Sequence, residues 1–231
     1  SLTPLRLVFV DGSLQNPAAI LPEGLNFVMV GDDDVDELQA YSLKTSGQDG
    51  FLAANLAHFK DGVKLVVSAE IKQPVELVWA CSSSDKAAYG RVVLQLGEGA
   101  SMTLLDTHQG TGLSHLAMDI SLAKSAHLEI VKTHMADDAQ AGISYTQFRL
   151  DTEAQLKMTT LALNAGLVRH ETNVLFNGTG AHAEIASAVL ASKSQHMDMT
   201  SSLDHAVADT TSETVARTVL DDKSCGVFQG K

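Results

Sequence analysis

Short runs in which apolar and polar residues alternate recur at a nearly constant interval along this chain. Four of them start at an alanine, and successive alanines are 26, 28 and 27 residues apart. The runs are Ala100-Ser-Met102-Thr-Leu104, Ala126-His-Leu128-Glu-Ile130, Ala154-Gln-Leu156-Lys-Met158 and Ala181-His-Ala183-Glu-Ile185. Alternation predicts β-strands, and a fixed period of this size predicts stacked coils of a solenoid. A fifth run, Val75-Glu-Leu77-Val-Trp79, lies one step earlier.

Most repeats contain a second alternating segment upstream of the alanine, so each coil is predicted to have two strands. These second strands are predicted at residues 92–96, 118–122, 145–150 and 173–176. Gly97-Glu-Gly99 and Asn177-Gly-Thr-Gly180 suit the corners between strands, since Gly and Asn tolerate positive φ. The alanine is expected to mark a tight inward corner. In this register Leu128 and Leu156 point into the interior on adjacent rungs.

The first 62 residues have a different pattern from the rest of the chain. A strand is predicted at Leu5–Val10, and short helices are predicted at residues 34–44 and 51–60. We expect two parts: an N-terminal mixed α/β cap at residues 1–62 and a β-helix core at residues 63–231. The cap is expected to cover the open end of the β-helix, where unpaired strand edges would otherwise aggregate.

Composition and charge exclude several classes of protein. Hydrophobic residues make up 45% of the chain and aromatic residues only 5%, so an aliphatic interior is expected. A net charge of −12 argues against binding to nucleic acid or anionic membranes. The sequence shows neither a membrane-spanning apolar run nor a signal-peptide pattern, which predicts a cytoplasmic protein. Its two cysteines, Cys81 and Cys225, are expected to be free thiols.

Four segments resemble the SufB/SufD family of the SUF iron–sulfur cluster assembly system. They are Leu7-Val-Phe-Val-Asp-Gly12, residues 49–62, Pro74-Val-Glu-Leu77 and residues 211–231. The last segment is the most specific, because residues 220–231 are close to the family run L-D-D-x-x-x-G-V-F-x-G-K. One departure is Thr214-Val-Ala-Arg217, which stands where the family has a Gln-hydrophobic-aromatic-Lys stretch.

The resemblance implies a right-handed parallel β-helix that is normally flanked by helical terminal domains, so this chain resembles a core fragment. It also implies a non-catalytic scaffold that forms a heterodimer with SufB and is driven by the SufC ATPase. The family contacts with SufC, and a Cys-Ser-His-Gly run near the SufB interface, lie in a region beyond Lys231. No cofactor is expected on this chain alone, and an iron–sulfur cluster is expected only in the assembled complex. A homodimer is the alternative where SufB is absent.

His108 and His134 occupy the same position in adjacent repeats, eight residues after Ala100 and Ala126. Their side chains are therefore expected about 4.8 Å apart, a separation that permits a shared metal. The alternative is a solvent-facing or hydrogen-bonded histidine ladder beside Asp106 and Lys132. We favour the ladder and predict no metal site, because no third ligand falls in the same register.

Two further residues are candidates for function. Cys225 could contribute a thiolate to an iron–sulfur cluster, but one thiol cannot hold a cluster alone, and we favour the alternative of an inert or merely exposed thiol. His205 matches a histidine that is common in the family before the terminal segment, and a structural role at a coil corner is its alternative. No catalytic residue is predicted. The competing function is a β-helix carbohydrate-active enzyme of the lyase or esterase type, which would need carboxylates aligned on one face.

Overall fold

A computed structural model describes residues 3–15, 21–31, 50–135 and 138–231. Of these described residues, 68% are in strands and 4% are in helix, and the stacked parallel strands form a β-solenoid of about six turns. The predicted all-β parallel β-helix is therefore confirmed.

The strands form two eight-stranded sheets, and most coils contribute one strand to each. The first sheet contains β1 (Leu5–Val10), β2 (Ser13–Leu14), β5 (Glu70–Cys81), β7 (Ser101–Gly110), β9 (His127–Met135), β11 (Gln155–Asn164), β13 (His182–Ala191) and β15 (Thr211–Leu220). The second contains β3 (Leu25–Val30), β4 (Gly62–Val67), β6 (Ala87–Leu96), β8 (Gly112–Leu122), β10 (Gln140–Leu150), β12 (Leu167–Phe176), β14 (His196–His205) and β16 (Cys225–Gly230). The predicted second strands are confirmed, and each is longer than expected.

The alternating runs set the register between coils. Leu156 of β11 lies opposite Leu128 of β9 in a parallel pair, and both side chains are buried in the main core. Equivalent positions stack in the same way through the neighbouring strands. The predicted inward orientation of both leucines is confirmed.

The corner before each run has the same backbone conformation in four successive coils. Gly99, Ser125, Glu153 and Gly180 all have positive φ, between 55° and 74°. The amide of each donates a hydrogen bond to a carbonyl in the next coil, at 2.8–2.9 Å. The alanine that follows each of these residues is fully buried. Alanine therefore occupies the tight inward corner that the repeat predicts.

The opposite connection between β7 and β8 is a single residue, Thr111, flanked by two glycines with positive φ. A Cβ at Gly110 would lie 2.2 Å from the carbonyl oxygen of Cys81, and one at Gly112 would lie 2.4 Å from that of Ser83. Only glycine fits both positions, because a side chain at either one would overlap the backbone of the preceding coil.

The N-terminal segment adds to the solenoid. Strand β1 pairs in parallel with β5, and β3 pairs antiparallel with β4. Helix α1 (Gly50–His58) confirms the second predicted helix, whereas the one predicted at residues 34–44 lies outside the described residues. No helix in the described segments is long and apolar enough to cross a membrane.

The expectation that the cap covers an open end is wrong for α1, which packs on the outer face of the second sheet. Phe59, just after the helix, belongs to the same buried cluster as Val93, whose neighbours Val92 and Leu94 point into the coil. Asn55 is fully buried and donates from Nδ2 to the carbonyl oxygens of Gly90 and His115. The helix therefore shields one flank of the stack. The division at residue 62 stays a prediction.

Candidate functional site

The interior of the solenoid is not uniformly aliphatic, and this corrects the expectation from composition. Leu, Ile, Val, Phe and Met fill the half of each coil next to the alanine corners. In the other half, one row across the first sheet reads Asp106, Lys132, Thr160 and Ser187. Successive side chains of a strand point to opposite faces of the sheet, and these residues lie at the positions that face inward. We call this row, together with the side chains linked to Asp106 and Lys132 from Trp79 to His170, the polar seam.

Asp106 lies at the centre of the polar seam. Its Oδ2 is 3.0 Å from Nζ of Lys132, and both side chains are fully buried. Its Oδ1 accepts a hydrogen bond from Nε1 of Trp79 at 2.9 Å and lies 3.3 Å from Nε2 of His108. Burial alone would raise the pKa of this carboxyl, but Lys132 and His108 together hold it well below its usual range. Asp106 is therefore ionised inside the protein.

Lys132 links the two sheets. Its Nζ donates to Oγ of Ser144 at 3.0 Å and lies 3.4 Å from Oγ1 of Thr146, both on the facing strand β10. The hydroxyl of Ser144 is in turn hydrogen-bonded to Nδ1 of His170 on β12. The seam thus runs from Trp79 through three further coils to His170, and it ties neighbouring coils together inside the stack.

Three histidines stack beside these groups. The rings of His108 and His134 are 4.1 Å apart and nearly parallel, and His170 packs against His134 at 4.7 Å and an angle of 60°. Burial lowers the pKa of His134 well below 6.5, and His108 and Lys132 act in the same direction. Burial likewise lowers the pKa of His170, and so do His134, Lys132 and His108. His134 and His170 are therefore neutral at physiological pH.

The predicted register of His108 and His134 is confirmed, because the two residues lie opposite each other in adjacent strands. The solvent-facing version of the predicted ladder is wrong, since both rings are fully buried. Stacked rings place their faces together and do not direct their nitrogens at one point. Among the described residues, no group of three or more His, Cys, Asp or Glu side chains is arranged to hold a metal ion.

Sequence reasoning missed His170. It lies on the other sheet from His134, so a search for equal offsets within one set of strands could not find it. The sequence did contain an indication of its burial. His170 lies at one of the alternate, inward-facing positions of β12, as do Val168, Thr172 and Val174. A histidine at an inward position of a buried strand requires a polar partner.

The remaining candidates lie apart from the polar seam. His205 stacks on the buried ring of Phe176 at 4.3 Å, with the rings 6° from parallel. Its two ring nitrogens contact the hydroxyls of Thr210 and Ser212. This environment favours the structural interpretation of His205. Cys225 begins β16 and is an exposed free thiol.

Cys81 is also free, but it is buried beside the one-residue corner. Its Sγ lies 3.6 Å from the carbonyl oxygen of Ser83 and 3.5 Å from that of Lys86. Burial raises the pKa of the Cys81 thiol. The protonated thiol is therefore favoured at Cys81, and its buried surroundings indicate a structural rather than a reactive residue.

Comparison with known proteins identifies related chains. Residues 79–231 match the SUF system FeS cluster assembly, SufBD core domain family. The chain is 24% identical over 243 residues to the iron–sulfur cluster assembly protein SufD of Escherichia coli (strain K12), an alignment that covers 100% of this chain and 56% of that protein. It is also 24% identical over 174 residues to an iron–sulfur cluster assembly SufBD family protein of Mycobacterium leprae (strain TN), with 74% and 44% covered.

The chain thus spans about half the length of the curated relatives it matches. The family match begins at Trp79, the first member of the polar seam, and extends through β16. It therefore includes the seam and most of the stacked coils, well over half of the chain. This chain belongs to the SufBD core-domain family of the SUF iron–sulfur cluster assembly system.

Proposed function

We propose that this chain is the β-helical core of a non-catalytic scaffold subunit that acts in iron–sulfur cluster assembly. In this proposal it pairs with SufB, and the SufC ATPase supplies nucleotide hydrolysis to the complex. The observation that carries the proposal is the SufBD core-domain match over residues 79–231, which coincides with the stacked coils.

The burial and pairing of the interior ionisable groups support a scaffold function. Asp106, Lys132, His108 and His134 are fully buried and engage one another or pack together. A substrate could not reach them without separating the coils. Side chains that cross-link successive rungs stiffen a solenoid along its axis, and a stiff stack suits a subunit that positions its partners.

The competing carbohydrate-active function has no support from the outward rows next to the alanine corners. A lyase or esterase would align carboxylates there, but the row reads Thr103, Glu129, Lys157 and Glu184. The row continues from Glu184 to Glu213, and these two are its only adjacent acids in the described strands; Nζ of Lys157 lies 3.6 Å from Oε1 of Glu129. Charges of opposite sign that neutralise each other fit a solvated surface.

The iron–sulfur cluster is then cargo of the assembled complex and not a cofactor of this chain alone. Cys225 is the exposed thiol in the described residues, and a single thiolate cannot hold a cluster. Any cluster ligands must therefore come from several parts of the assembly. We propose that the chain alone binds no cofactor, and that it forms a homodimer only where SufB is absent.

Co-purification tests this function directly. The tagged full-length protein is produced with SufB and SufC from the same organism, and the purified material is assayed for subunit composition, iron, sulfide and ATP hydrolysis. We expect all three proteins to purify together, with ATP hydrolysis only in preparations that contain SufC. Cluster content should be unchanged in a Cys225→Ser variant.

Two results would overturn the proposal. One is ATP or polyuronate turnover by the protein purified without SufC, because a scaffold has no activity of its own. The other is failure to purify with SufB and SufC when those two proteins purify together.

A further inference from the structure

A small cavity lies where the polar seam reaches the last coils. Its volume is about 20 Å³, and its lining includes the polar residues Thr160, His170, Thr172, Ser187 and Ser201. A cavity needs about 10–15 Å³ of space for the centre of a water-sized sphere to hold one water molecule. The space therefore suits one water molecule, and its lining supplies hydroxyl and imidazole groups from both sheets.

Two of the lining side chains are buried polar groups that lack a partner. Neither Nε2 of His170 nor Oγ of Ser201 has a hydrogen-bond partner within the described part of the chain. His170 is 2% exposed and Ser201 is 4% exposed, so bulk solvent does not satisfy them. Burying a polar atom without a partner is unfavourable, and ordered water is a common remedy in folded proteins.

The hydrogen bonds at the other side of His170 indicate what Nε2 requires. Lys132 can only donate, so Oγ of Ser144 accepts its hydrogen bond and keeps its own hydrogen for Nδ1 of His170. Because burial keeps His170 neutral, its single ring proton is then on Nε2. Nε2 is therefore a donor that needs an acceptor on its cavity side.

We propose that the cavity is a binding site for one ordered water molecule. The water accepts a hydrogen bond from Nε2 of His170 and bonds Oγ of Ser201. A threonine hydroxyl, Thr160 or Thr172, supplies a third partner, which matches the two to four hydrogen bonds typical of buried water. This site extends the polar seam by one coil and connects His170 to strand β14.

A crystal structure of the full-length protein at about 1.5 Å resolution tests the site. We expect one peak of solvent density within about 3.2 Å of both Nε2 of His170 and Oγ of Ser201. The proposal is wrong if the two side chains bond each other directly, or if the cavity contains no density.

A pair of matched variants provides a second test. Ser201→Ala removes an inward hydroxyl from β14, and Ser202→Ala removes the adjacent outward one. We expect Ser201→Ala to lower the occupancy of the water and to shift the ¹⁵N resonance of Nε2 in His170, while Ser202→Ala leaves both unchanged. Equal effects of the two variants, or no effect of Ser201→Ala, would contradict a water held by this serine.

Discussion

The buried ion pair of the polar seam makes the strongest prediction about stability. We consider the substitution Lys132→Met, which shortens the unbranched side chain by one atom and removes its charge. Asp106 then stays in the interior with only Trp79 and His108 as partners. At 3.0 Å and an effective dielectric constant of about 20, the lost attraction is about 5–6 kcal/mol. Part of this is recovered by relaxation, so we expect destabilisation of about 3–5 kcal/mol.

Equilibrium unfolding in urea measures this effect, and two further variants define it. Lys157→Met is the matched control, because the same substitution at a half-exposed pair should cost less than about 1 kcal/mol. The double variant Asp106→Leu with Lys132→Met removes both charges. It should recover most of the loss, apart from about 1 kcal/mol for the unpaired indole of Trp79.

Two outcomes would refute this reasoning. If the free energy of unfolding of Lys132→Met lies within about 1 kcal/mol of that of the wild type, Asp106 is not left as an uncompensated buried charge. If the double variant is no more stable than Lys132→Met, removing the second charge recovers nothing and the two side chains are not energetically coupled. Either result would remove the ion pair as a link between coils.

Three further predictions concern the coil register, pH and partner binding. Leu128→Ala should cost about 2–5 kcal/mol in thermal or urea unfolding, because the side chain is fully buried, whereas Glu129→Ala on the outer face should cost almost nothing. The pKa values of His134 and His170 are lowered in the folded protein, so below about pH 6.5 the unfolded chain binds protons that the folded one excludes. Stability should therefore be full above that pH and fall as pH decreases, by up to about 1.4 kcal/mol per pH unit for each histidine, and His170→Gln should remove about half of the slope. If the contacts with SufB lie beyond Lys231, residues 1–231 should bind SufB more weakly than the full-length protein in a mass measurement in solution. Equal affinity would place the interface within this chain.

The sequence was sufficient to predict the strands and their stacking, because both depend on local alternation and on a period. Leu128 and Leu156 illustrate this, since each is assigned to the interior by its own strand and aligned by the position of the alanine before it. Gly99 and Gly180 were recognisable as corners, but Ser125 and Glu153 adopt the same left-handed conformation without a glycine. There the stacked hydrogen bonds of the neighbouring corners determine the conformation.

The polar seam could be predicted only in part. The pairs Asp106 with Lys132 and His108 with His134 followed from equal offsets in one sheet. Their burial did not, because it depends on how the second sheet lies across the interior. The link from Lys132 to His170 through β10 depends on the lengths of the connections between the sheets, and these lengths vary from coil to coil.

The two sides of the solenoid differ in how they connect strands, and this suggests where the molecule tolerates change in sequence. On the side of the alanine corners, the five successive connections from 97–100 to 206–210 keep a length of four or five residues. The opposite connections range from Thr111 alone to the five residues 82–86. Insertions and deletions can therefore accumulate along one edge of the stack while the other edge fixes its pitch. Loops of new length and chemistry can be added along the variable edge without altering the spacing of the rungs.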